Sequence, residues 1–228
     1  MVNESSVNRT SASSEHARHH RHYETGKWRE NDTYLSDEEY ARALDTIVKG
    51  CADVLITDSS GEGKILIGYR NVEPAKDSAW FVGGRIRVGD SAIRAARRNV
   101  LRECKIDIEE ERFKFVCTST HVWSRRKQRP EENGTGDVIV VTTVAITEEE
   151  KNKIVMTNTE YHGFAWVSPE EILTNDEFHE ALKDAVKAMF FNQKQLELIK
   201  ACQTNEASDE KIAKLARDLF SSSFSSSH

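Results

Sequence analysis

The sequence predicts an α/β domain in which a mixed sheet is flanked by helices and followed by a helical extension. Three observations predict it. Strand-like runs such as Cys51–Thr57 and Val138–Ile146 are separated by links rich in Gly, Ser and Asn. Between Trp80 and Cys104 a short strand, a Gly-rich loop and an amphipathic helix follow one another. Beyond about residue 175 the apolar spacing is helical only.

Order begins at Leu35-Ser36-Asp37-Glu38-Glu39, where Ser36 can cap a helix and Glu39 stands at the reciprocal capping position. Tyr40, Ala43, Leu44 and Ile47 give that helix an apolar face. Cys51–Thr57 and Lys64–Arg70 are strands, joined by Asp-Ser-Ser-Gly-Glu-Gly as a hairpin turn. Trp80-Phe81-Val82 is a third strand, which Gly83-Gly84 ends. Gly89-Asp90-Ser91 opens a helix with a core stripe of Ala92, Ile93, Ala96, Val100 and Cys104. Phe113–Val122 and Val138–Ile146 are further strands across a polar loop containing Arg125, Arg126, Lys127 and Arg129. Gly163–Val167 is the last strand, and Ser168-Pro169-Glu170-Glu171 starts a helix with Pro at its first position. Asn175–Lys200 and Asp209–Phe220 form amphipathic helices through Phe178, Leu182, Val186, Met189, Phe190 and Leu196, and through Ile212, Leu215 and Leu219.

A chain of 228 residues has room for one domain with appendages. The ends, 1–34 and 221–228, are polar tails without apolar periodicity, the first carrying His16, His19, His20 and His22. No run of 18 apolar residues exists, so no membrane span is expected and a cytoplasmic protein is. Lys and Arg number 32 against 38 Asp and Glu, a net charge of −6 that argues against a general nucleic-acid or anionic-membrane binder. Phosphate chemistry would have to come from local basic residues. Cys51, Cys104, Cys117 and Cys202 contain no closely spaced pair and read as reduced thiols.

The segment from Trp80 to Ile106 carries the chemistry. A Gly loop running into a helix offers backbone amides and a helix N-terminus to anions. The segment resembles the Nudix box, whose pattern is Gly, five residues, Glu, seven residues, Arg-Glu, an aliphatic, any residue, Glu-Glu, any residue, Gly and an aliphatic. On this chain the box begins at Gly84, with Asp90 at the first acid, Arg98 at the Arg, Val100 at the aliphatic and Glu103 at the final acid. Asn99 and Arg102 stand where acids belong, and Lys105 where the last Gly belongs. Asp90 also reads as a helix N-terminal residue, and Arg98 as an orienting one.

Within that superfamily the chain is most similar to the GDP-mannose mannosyl hydrolases, from about Leu35 to Leu173. The resemblance includes Asp53-Val54-Leu55-Ile56, Gly68–Arg70, Trp80–Arg85, Val122-Trp123 and Phe164–Val167. It implies a Nudix-type α/β/α sandwich at 35–175, with the extension at 176–220. It further implies Mg²⁺, with Mn²⁺ as the alternative, held by the Gly83 carbonyl, Glu103 and Glu160. Asp53 and Arg70 would assist substrate and leaving group, and Arg85 and Trp123 would line the cleft. The general-base His falls on Tyr161, leaving His162 as the displaced candidate. The substrate implied is a nucleoside diphosphate-linked molecule, best a nucleotide sugar such as GDP-mannose, cleaved at phosphorus or at the anomeric carbon. The rival reading is a ligand-binding or scaffold module, and the apolar positions along 178–219 suffice for a homodimer face.

Overall fold

The strands, in chain order, are β1 (Lys49–Asp58), β2 (Ile65–Arg70), β3 (Ala79–Trp80), β4 (Val82–Arg85), β5 (Lys114–Trp123), β6 (Thr135–Ile146) and β7 (Tyr161–Val167). The helices are α1 (Asp37–Leu44), α2 (Ala92–Cys104), α3 (Glu148–Asn152), α4 (Pro169–Thr174), α5 (Glu180–Gln203) and α6 (Asp209–Phe224). These come from a computed structural model describing residues 20–27, 33–59, 63–157, 159–203 and 208–224. β1 is central, antiparallel to β2 and β4 and parallel to β6. β3 and β7 add to β2, and β5 to β6, all antiparallel, which completes a seven-stranded mixed sheet.

Alternate residues of each strand face opposite sides, so the sheet feeds two cores. On one face Leu55, Ile67 and Val141 pack with Trp80, Phe81 and the α5 residues Leu182, Val186 and Met189. On the other, Val54, Ile56, Leu66 and Val144 meet Ala95, Ala96, Val100 and Cys104 of α2. Helices on both faces make the expected α/β/α sandwich. The first half of α5 is thus part of the core rather than an appendage. α5 and α6 pack on each other, and Ala201 and Leu219 are buried, so part of the apolar surface expected to serve a dimer is covered within the chain.

The helix starts follow the sequence closely. Ser36 Oγ accepts from the Glu39 N–H at 3.3 Å while Glu39 Oε2 accepts from the Ser36 N–H at 3.0 Å. Ser91 and Ser168 cap α2 and α4. Several expectations are corrected. Ile47 is exposed, and α1 buries Leu44, as expected, together with Ala41. The predicted strand Trp80-Phe81-Val82 is divided at Phe81, because β3 pairs with β2 and β4 with β1. Gly83 and Gly84 therefore lie within β4 and do not end a strand. α5 begins at Glu180, not Asn175, since the Asn175 side chain accepts from the Glu177 N–H at 2.9 Å and holds a turn. α6 continues through residue 224, so 221–224 are helix rather than tail. Arg126 is not part of a solvated loop: it is 1% exposed and joins Asp45, just after α1, at 2.8 Å. Residues 1–19, 28–32, 60–62 and 225–228, which include His16, His19, most of the first expected tail and part of the hairpin turn, lie outside the described residues. Among the described residues no helix is long and apolar enough to cross a membrane, and all four cysteines are free.

α2 ends on Lys105, a left-handed residue with φ 62°. A side chain there is strained by about 1–2 kcal/mol relative to Gly. Lys105→Gly should raise the melting temperature by roughly 2–4 °C, since about 1 kcal/mol produces that shift at this size. Thermal unfolding of the two proteins checks this, and an unchanged or lower midpoint contradicts it.

Candidate functional site

The site forms where β4 passes beside β1 and α2 runs beneath both. Gly83 pairs with Asp53 across the two strands, and a Cβ at Gly83 would lie 2.1 Å from Asp53 Oδ1. Only glycine permits that approach. Asn99, fully buried on α2, donates through Nδ2 to the carbonyls of Ala52 at 3.1 Å and Gly84 at 3.0 Å. It therefore pins the Gly pair to β1. Arg98 donates from Nε and Nη2 to Asp90 Oδ2 at 3.1 and 3.0 Å, and from Nη2 to the Arg85 carbonyl at 3.0 Å. Asp90 and Arg98 brace the loop between β4 and α2.

Glu103 has no solvent exposure. Its Oε2 accepts from the Gly83 N–H at 3.1 Å and lies 2.7 Å from the Tyr161 hydroxyl, which is also 3.1 Å from the Phe81 carbonyl. Its Oε1 is paired with Arg102 Nη2. Burial pushes the Glu103 carboxyl above its ordinary range, opposed chiefly by the Arg102 charge. The same Arg102 Nη2 donates to the Gly83 carbonyl at 3.1 Å and lies 3.9 Å from Glu160 Oε1. The three oxygens implied as metal ligands thus converge on a guanidinium nitrogen. Mg²⁺ takes near-octahedral oxygens at about 2.0–2.1 Å, so with Arg102 in place these residues do not fit a divalent cation. Among the described residues no group of three or more His, Cys, Asp and Glu side chains is placed to hold a metal.

Above this floor is a cleft of about 240 Å³ lined by Asp53, Arg70, Gly83, Gly84, Arg85, Arg102, Trp123 and Glu160, among others. An adjoining cavity of about 260 Å³ shares Tyr40, Lys49, Arg70, Pro74 and Glu160 with it and adds Lys127. Asp53, 4% exposed, accepts from Trp80 Nε1 at 3.2 Å. Burial pushes its carboxyl up to about 7, opposed by the Trp80 hydrogen bond and assisted by the charge of Glu103. Arg70 is held by its Nε–H to the Pro74 carbonyl at 2.9 Å and lies 3.7 Å from Glu160 Oε2. Arg85 lies over the Tyr40 ring at 5.2 Å. Trp123 donates to Asp137 Oδ2 at 3.0 Å and stacks on His121 at 5.4 Å, so it borders the cleft as part of an aromatic wall with Trp80.

The structure brings together Asp53, Arg70, Gly83, Gly84, Arg85, Glu103, Trp123 and Glu160. His162 stands apart. β2 and β7 change register between Tyr69 and Arg70, which pair with Gly163 and Tyr161, so His162 is the extra residue of a bulge. It is exposed, stacks on Tyr69 at 6.0 Å and lines neither cavity, whereas Tyr161 turns inward and is 2% exposed. Asn99 and Arg102 are the site residues that sequence reading missed as working parts. The signal was present: both occupy box positions whose side chains point at the Gly turn.

The sequence model of the NUDIX domain matches residues 49–189. The MutT protein from Methanosarcina mazei Go1 is 15% identical, with 64% of this chain and 96% of that one covered at a TM-score of 0.51. A MutT NUDIX hydrolase from Burkholderia pseudomallei is 17% identical, with 62% and 98% covered at a TM-score of 0.50. These likenesses bear on the fold. The search of curated proteins found no match.

The raised Asp53 value has a consequence for stability. An unfolded Asp ionises near 3.9, so between about pH 4 and pH 7 the folded chain keeps a proton that the unfolded chain has lost. The contribution of this group is full below pH 4 and falls as pH rises through 7. Asp53→Asn retains the acceptor for Trp80 and removes the titration. Thermal unfolding should therefore show a stabilisation larger by about 2 kcal/mol at pH 8 than at pH 5. An equal increment at both values would show that Asp53 is ionised throughout.

Proposed function

The chain belongs to the NUDIX domain family, and from that premise we propose that it hydrolyses a nucleoside diphosphate derivative, best a nucleotide sugar such as GDP-mannose. The observation that carries this reading is the cleft over Gly83 and Gly84, where a buried carboxyl with pKa about 7 faces the same space as Arg70, Arg85 and Arg102. Planar guanidinium groups grip phosphate oxygens in pairs and keep their charge at any physiological pH. An acid poised near neutrality can take a proton from water, the task the resemblance gives to a histidine. With His162 outside the cleft, Asp53 takes that role in this reading. Trp123 and the adjoining cavity offer an aromatic edge and further volume for base and sugar.

In the reaction the arginines draw negative charge to the leaving side while Asp53 accepts the proton of the attacking water. Attack at phosphorus gives a nucleoside monophosphate and a sugar phosphate. Attack at the anomeric carbon gives a nucleoside diphosphate and the free sugar. The second reading, a domain that binds such a ligand without turning it over, is favoured by one observation: both oxygens of Glu103 are already engaged by Gly83, Tyr161 and Arg102.

Mass spectrometry of products from a panel of nucleotide sugars and dinucleotides in ¹⁸O-water tests the proposal. We expect turnover of at least one compound, a loss of about 10²–10⁴-fold in Asp53→Asn, and activity within about twofold of wild type in His162→Gln, as for an exposed side chain away from the reacting atoms. Label on phosphate assigns attack at phosphorus, and label on sugar assigns attack at carbon. Binding of the panel without any turnover would replace the hydrolase with the binding module.

A further inference from the structure

We propose that Arg102 is the resident cation of this cleft, a side chain that occupies the position of a divalent ion and binds the ligand's diphosphate directly, without metal. The inference rests on reading the cleft as a diphosphate site. Its first support is the convergence already described: the Gly83 carbonyl, Glu103 Oε1 and Glu160 Oε1 all surround one nitrogen, Arg102 Nη2. An oxygen set that would collect a cation has collected one that is covalently part of the chain. Its second support is the space made for it. A Cβ on Gly84 would stand 2.8 Å from Arg102 Nη2, so a side chain there would push the guanidinium out of this position.

The third support is what the arginine has left over. Nη2 is spent on the cradle, but Nε and Nη1 bond no group among the described residues, and the side chain is 45% exposed on the cleft wall. A guanidinium anchored at one nitrogen still carries N–H donors on its other two, each free to meet a phosphate oxygen. Arg70 and Arg85 border the same cleft, so the diphosphate would meet three guanidinium groups. The charge is permanent, because arginine does not lose its proton in proteins. Binding would therefore be independent of chelators.

The test measures binding, not turnover. Pyrophosphate and GDP are titrated calorimetrically in EDTA, and Mn²⁺ binding is followed by the loss of the free-ion electron paramagnetic resonance signal. We expect the wild type to bind pyrophosphate in EDTA and to show no Mn²⁺ site that depends on Glu103. Arg102→Gln should weaken pyrophosphate binding in EDTA by about 10–100-fold, the loss typical of a charged hydrogen bond. The same variant, with its cradle vacated, should gain a Mn²⁺ site, and the double variant with Glu103→Gln should lose it. Arg102→Lys, which keeps the charge without the fork, should fall between. A wild-type Mn²⁺ site abolished by Glu103→Gln, or full pyrophosphate affinity in Arg102→Gln, would overturn the inference. Metal-free binding with no turnover of any compound would remove the hydrolase and leave Arg102 as assigned. A wild type that binds neither pyrophosphate nor GDP overturns both.

Discussion

The Glu103 carboxylate is the constraint on which the site depends. A carboxylate with no solvent exposure costs several kcal/mol unless it is paired and hydrogen-bonded. Here each oxygen has partners: the Gly83 N–H and Tyr161 hydroxyl on one side, the Arg102 guanidinium on the other. Those partners come from β4, β7 and the preceding residue of α2. Satisfying one acid therefore fixes how two strands and a helix meet.

Two glycines follow from the same requirement. The Tyr161 ring reaches Glu103 by crossing β2 at Gly68, where a Cβ would lie 2.5 Å from the ring. Gly83 must bring its N–H to the carboxylate while passing within contact of Asp53. Neither position has room for a side chain. The close passage also takes Asp53 out of water, and from that burial comes the near-neutral proton affinity that distinguishes it from a surface acid. Structural closure and chemical readiness at this site have one origin.

Much of the fold was legible because its signals are local. Ser36 with Glu39, Ser91 and Ser168 with Pro169 mark helix starts through bonds made within one turn. The box spacing likewise located Arg98 and Glu103 on the helix that follows the Gly pair, because strand, loop and helix there are consecutive in sequence. What escaped depends on contacts between distant segments. The change of partner at Phe81 is decided by which strand lies beside each half. The bulge at His162 is decided by the register of β7 on β2, and it reverses which residue of the pair Tyr161–His162 faces inward. Asn99 and Arg102 looked like losses from an acidic pattern. Only the neighbouring carbonyls of Ala52, Gly83 and Gly84 show that each replaces a negative charge with donors the turn can use.

The parallel pairing of β1 with β6 joins Lys49 to Asp137 and continues to Asp58 and Ile146. Every partner is thus separated by nearly ninety residues of chain. The central strand is made before the other six, yet its most extensive backbone partner cannot exist until most of the domain has been made. Until then the run Val54-Leu55-Ile56 has an unpaired edge of amides and carbonyls, and such edges pair readily with foreign strands. β2 and β4 can cover the opposite edge while they wait, since both follow β1 within a few tens of residues. Contacts of long sequence separation slow folding through the entropy of loop closure. The nascent chain is therefore most exposed to misassembly in the interval between completing β4 and completing β6.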